Sequence, residues 1–114
     1  MEKQDKKQLI QAYKDRTIVG GVCAVKNAKN GKYLLEATND IKGSRNRLEF
    51  CKMTNSALQM RIQKDWNEFG SDAFVFEVLE ELEKKPEQTD KEFRDDLNTL
   101  LELWQEKLGP EQLY

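Results

Sequence analysis

Histidine is absent from the 114-residue sequence. That removes the Ser/His/Asp and Cys/His nucleophile arrangements, the His-ligated zinc sites and the imidazole general base in one step. Cysteine is scarce: Cys23 and Cys51 are the two present, and their spacing matches no metal-binding pattern. In the cytosolic setting expected here they read as free thiols, packed like small apolar side chains. No apolar run approaches the roughly 20 residues needed to cross a membrane. The segment Met1–Lys7 also lacks the apolar core of a signal peptide. A cytoplasmic location and no membrane partner are the expectations.

What is present suits one domain spanning 1–114. Charged residues make up 35% and apolar ones 38%, with a mean hydropathy of -0.85. Five Phe, three Tyr and two Trp supply material for a core, which separates the chain from disordered sequences. The net charge of -2 conceals an uneven distribution. Residues 1–70 hold 14 Lys and Arg against 8 Asp and Glu, whereas residues 71–114 hold 5 against 13. The two halves are therefore +6 and -8. Such asymmetry fits a basic binding face beside an acidic helix, or a solvated surface with no partner.

Lys6 to Lys14 carries Leu9, Ile10 and Tyr13 at helical spacing, predicting a short amphipathic helix. From Thr17 to Val25 the residues are strand formers, with Gly20-Gly21 as a weak spot or bulge. Asn30-Gly31 is a hairpin-turn signal, and Lys32 to Thr38 returns as a second strand, giving a hairpin over about 17–38. Gly43 to Cys51 reads as a short helix bearing Arg45 and Arg47. Thr54-Asn55-Ser56 supplies N-cap candidates for a helix whose Leu58, Ile62, Trp66 and Phe69 face a core, ending at Gly70. Ala73 to Leu79 alternates as a third strand, and Glu80 to Gln88 reads as a helical turn or loop. Thr89 and Glu92 form a capping box before Phe93, Leu97, Leu100, Leu101, Trp104 and Leu108, and Gly109-Pro110 ends that helix. Trp66, Trp104 and the Phe residues read as core rather than as stacking platforms. The predicted class is α+β, a small sheet of about three strands flanked by helices.

Two tripeptides on the hairpin, Gly21-Val22-Cys23 and Leu34-Leu35-Glu36, stand ten residues apart. They resemble the paired tripeptides of the GIY-YIG nuclease family. Further segments agree: Asn27 to Tyr33 with the Asn-Gly-Lys turn, and Asp40-Ile41-Lys42 with Arg45-Asn46-Arg47 for the arginine-bearing helix. Asp65 to Gly70 followed by Ala73 to Glu80 is similar to the second helix and third strand, and Leu100 to Trp104 to the last helix. The resemblance covers about 17–108. It implies a metal-dependent DNA endonuclease in which a tyrosine helps activate water, an arginine steadies the phosphate and a glutamate holds Mg²⁺ or Mn²⁺. A guanidinium fork fits two phosphate oxygens, and a hard cation needs few protein oxygens when water and phosphate complete its shell.

Carried over residue by residue, the arginine falls on Arg47, with Arg45 in reserve, and the metal-binding glutamate on Glu102. Both motif tyrosines are replaced, by Cys23 and Leu34, and a glycine by Glu36. Tyr33 adjoins Leu34, but an offset of one residue on a strand points it to the other face unless the register slips or a bulge re-aims it. Cys23 would need to be a thiolate. Glu36 has three outcomes open to it: a metal ligand, a salt-bridge partner for an arginine, or a charge that repels phosphate. Two functional readings follow. One is a divergent nuclease using Arg47 and Glu102, with Tyr33 or Cys23 in the tyrosine's role, acting on DNA through the basic N-terminal half. The other is a non-catalytic module on the same scaffold that binds nucleic acid or protein.

Overall fold

The computed structural model describes residues 18–114. The helix expected over Lys6–Lys14 and the Thr17 end of the hairpin lie outside the described residues. Strand β1 spans Val19–Asn27 and β2 spans Tyr33–Thr38, joined through a turn in which Gly31 adopts a φ of 76°. That left-handed value is the reason a glycine follows Asn30. Strand β3, Phe74–Glu83, pairs with the other side of β1, so the antiparallel sheet runs β2-β1-β3.

The third strand is longer than alternation alone predicts. It continues through Glu83 because β1 offers partners as far as Val19, which faces Glu83. Its charged second half reads as a loop in isolation, whereas the ladder of the central strand holds it extended. The expected irregularity near Gly20-Gly21 falls slightly later, where the β1–β3 register shifts between Val22 and Cys23. The two glycines serve a different end. A Cβ on Gly20 would strike the Thr38 carbonyl oxygen and one on Gly21 that of Glu80, so close backbone approach on both sides of β1 requires them.

Helix α1, Ile41–Thr54, starts at Asp40, whose carboxylate accepts from the Gly43 N–H, and ends at Asn55 in the left-handed conformation. It is thus longer than the Gly43–Cys51 segment expected. Thr54, Asn55 and Ser56 close this helix instead of opening the next. A 3₁₀ turn over Met60–Ile62 leads into α2, Gln63–Phe69, which Gly70 terminates as expected. Helix α3, Asp90–Leu108, begins with the Thr89–Glu92 capping box and ends at Gly109.

The main core lies between the sheet and α1 with α2. Val25 and Leu34, paired across the hairpin, meet Leu48, Ile62, Trp66, Ala73 and Phe74 there. The Trp66 and Phe74 rings stack at 5.1 Å. Burying Leu48 completely contributes about 1.5–3 kcal/mol. The opposite face of the sheet is covered by α3, whose Phe93 and Leu97 are buried and whose Phe93 ring reaches Gly20. Trp104 extends that contact, its indole N–H donating to Glu80 Oε1 at 3.0 Å. Among the described residues the α+β sandwich of three strands and three α-helices matches the predicted class.

Candidate functional site

The hairpin register puts the two tripeptides side by side, with Cys23 opposite Glu36 and Val25 opposite Leu34. Alternation along each strand points these four side chains to the α1 face. There they line a small cavity of about 70 Å³, closed by Arg47 from α1, Leu58 and Gln59 from the following loop, and Phe76 from β3. Helix α1 delivers Arg47 because Ser44, Leu48 and Cys51 form its inward stripe and Arg47 flanks it.

Arg47 is engaged. Its Nη2 donates to Glu36 Oε1 at 2.5 Å and also approaches Ser44 Oγ at 3.5 Å. Of the three outcomes open to Glu36, the salt bridge is the one adopted. The pair remains 54% and 41% exposed on its two sides, which limits its contribution to stability. Cys23, 1% exposed, is a neutral thiol: burial pushes its pKa up to about 11, and the Glu36 charge adds to the rise against a smaller opposing effect of Arg45. A thiolate is therefore not available there near neutral pH. Leu34 brings no polar atom to the cavity.

Tyr33 is not brought to this cavity. It pairs with Lys26, whose ammonium sits 5.4 Å from the ring centroid, and the uninterrupted β1–β2 register keeps it on the face opposite Leu34 and Glu36. Arg45 projects beside the cavity and holds its guanidinium 5.3 Å from the Phe76 ring centroid. Glu102 is exposed on α3, across the sheet from Arg47. The structure thus gathers Cys23 and Arg47, keeps Arg45 adjacent, and separates Tyr33 and Glu102 from them. Among the described residues no group of three or more Cys, Asp or Glu side chains is arranged to hold a metal ion. Glu36 is committed to Arg47 and the remaining lining is largely apolar, so this cavity does not fit a divalent cation.

Similarity to solved structures bears on this arrangement. The chain superposes on the catalytic domain of the intron endonuclease I-TevI with a TM-score of 0.59 and 20% identity, over 80% of this chain and 84% of that one. This is a GIY-YIG-like fold. A second structure of the catalytic domain of homing endonuclease I-TevI gives a TM-score of 0.53 at 20% identity, covering 78% of this chain and 87% of that one. No family model matches the sequence, and no curated protein matches it either. The fold is thus GIY-YIG-like, and the cavity between the two tripeptides is lined by an internal ion pair and apolar side chains.

Two further features escaped sequence reasoning. Asn27, fully buried, donates to the Tyr114 hydroxyl at 3.0 Å, and Tyr114 in turn donates to Asp65 Oδ2 at 2.7 Å, where Asn30 also donates. Donation from Tyr114 holds the Asp65 carboxyl below its ordinary pKa. Burial, then that same hydrogen bond, raises the Tyr114 phenol. No local signal ties positions 27 and 114. The second feature is Phe50, expected in the core yet 63% exposed. The Ser44–Leu48–Cys51 spacing carried that information, since it turns Phe50 to the outer side of the helix.

Charge is partitioned by the sheet. Helix α1 carries Lys42, Arg45, Arg47 and Lys52 against Glu49 on one side. Helix α3 carries six acidic residues against three basic ones on the other.

Proposed function

We propose that this chain is a non-catalytic nucleic-acid-binding module built on an endonuclease-like scaffold. The observation that carries the reading is the Glu36–Arg47 ion pair in the cavity between the two tripeptides. In the resembled chemistry that guanidinium steadies a phosphate; here it is held by a carboxylate of its own chain. Leu34 and the neutral Cys23 thiol beside it cannot orient water or accept its proton. The reading assigns no role to Mg²⁺ or Mn²⁺, because Glu102 lies across the sheet from Arg47. Binding is supported by the basic charge of α1, since neutralising phosphates supplies much of non-specific affinity. The setting is read as cytoplasmic, which two free cysteines suit; among the described residues no helix is long and apolar enough to cross a membrane.

A second reading, metal-dependent hydrolysis of DNA, is favoured by the scaffold and by the place of Arg47. One experiment separates the two. Linear, branched and single-stranded DNA is incubated with the protein in Mg²⁺ or Mn²⁺ beside Arg47→Ala and Glu102→Ala, and binding is followed across a salt series. The module reading expects intact DNA and an affinity that falls steadily as salt rises. Cleavage abolished by both substitutions refutes it in favour of the nuclease. Undetectable binding at low salt refutes the nucleic-acid partner.

A further inference from the structure

The outward face of α1 is one continuous stripe. Lys42, Asn46, Glu49, Phe50 and Met53 recur at helical spacing with Arg45 at the edge, its guanidinium turned toward the Phe76 ring of the sheet, and all six are exposed. Phe50 shows 63% of its surface and Met53 85%. Its first half borders an open groove, with Lys42, Arg45 and Asn46 on one bank and Val78 and Glu81 of the sheet on the other. Among the described residues neither Lys42 nor Arg45 is ion-paired; the two salt bridges use Arg47 and Lys84.

The two halves of the stripe ask for different things of one partner. The cationic half selects an anion: Lys42 and Arg45 have no ion-pair partner among the described residues, whereas Arg47 is held by Glu36, and Glu49 is the one acid on the stripe. The apolar half selects a partner with flat apolar faces to lay on a phenyl ring. A duplex offers phosphates but keeps its base faces inside the stack, whereas an unpaired strand offers both along the same backbone. Lys42 and Phe50 lie about 12 Å apart along the helix axis at 1.5 Å per residue. That spacing lets cations and ring engage successive nucleotides. Resting on the nucleic-acid reading above, we propose that the outward stripe of α1 is a binding surface for unpaired nucleic acid. Lys42 and Arg45 meet phosphates, Phe50 stacks on a base, and Met53 packs beside it. The small cavity that corresponds to the nuclease centre is not the binding site.

Fluorescence anisotropy tests this with a labelled oligonucleotide, as a single strand and annealed to its complement, at several salt concentrations. The strand is expected to bind more tightly than the duplex. Phe50→Ala is expected to weaken strand binding at least about fivefold, since stacking on an aromatic is worth roughly 1–3 kcal/mol per base. It should leave duplex binding as in wild type, and Phe50→Trp should bind the strand as well as wild type. Lys42→Ala and Arg45→Ala should each lower the salt slope for the strand by about 0.7. Phe50 is exposed, so the variants should melt like wild type. Equal strand and duplex affinities, or unchanged strand binding by Phe50→Ala, overturn the stacking surface while leaving the broader reading intact. Absence of binding to both forms at low salt fells the two together. A dimer that Phe50→Ala converts to monomer, at unchanged strand affinity, makes the stripe a self-association face and refutes the proposal.

Discussion

Replacing Glu36 by Gln should release Arg47 to bind phosphate. The carboxylate holding the guanidinium is half exposed, so the pair is worth up to about 1 kcal/mol and not the several expected of a buried pair. Two consequences of that magnitude can be measured separately. Stability should change by less than about 1 kcal/mol in urea, because both groups regain water when parted. Affinity for nucleic acid should rise by up to about fivefold, since the freed guanidinium adds a phosphate contact to those the α1 stripe already makes and a negative charge has gone. The diagnostic quantity is the slope of log affinity against log salt. A newly available guanidinium that neutralises one phosphate steepens it by about 0.9 on a duplex, or about 0.7 on a single strand. Arg47→Ala in the Glu36→Gln background should return the slope to its wild-type value. An unchanged slope in Glu36→Gln refutes the idea that Glu36 stands where a phosphate would sit. A loss of several kcal/mol in stability would show that the pair is structural.

Three further outcomes are expected. The Cys23 thiol, buried and raised to about 11, should resist alkylation in the native protein at pH 8 and react fully once the chain is unfolded; rapid native labelling, mapped by peptide mass, would contradict this. Thr89→Ala removes the hydroxyl that accepts from the Glu92 N–H and should cost about 1 kcal/mol, measured by denaturant unfolding. Because Asp65 is lowered in the folded state, its stabilisation is complete above its unfolded pKa and is lost as pH falls through the folded one. Tyr114 is raised, so its contribution is present below about 10 and lost at higher pH. Tyr114→Phe should flatten the stability–pH profile at both ends, and an unaltered profile would exclude the Asp65–Tyr114 pair as its cause.

Legibility from sequence followed the range of the interactions involved. The hairpin, the capping box and the stop at Gly109 are written locally, in Asn30-Gly31, in Thr89 with Glu92, and in a glycine that ends a stripe. The second half of β3 was not legible, because Glu80, Glu81 and Glu83 oppose a strand reading until the ladder of β1 is placed beside them. Thr54 to Ser56 misled for a related reason: residues that cap an N-terminus also suit the left-handed close of a preceding helix, as Asn55 does. Arg47 was placed correctly on its helix, yet its tie to Glu36 needed the register of β2 against α1. Glu102 could be assigned to the last helix by sequence, but the side of the sheet on which that helix packs is a matter of topology.

The sheet separates a helix of four bases and one acid from a helix of six acids and three bases, so among the described residues the two flanking helices present opposite charge. A net charge of -2 therefore says little about how it meets other charged bodies. Near a polyanion the field acts as a torque before contact, turning α1 inward and α3 outward. Once seated, the complex would show its surroundings the acidic side of α3. A strand coated with such domains would keep a negative exterior, and neighbouring coated strands would repel one another instead of being drawn together.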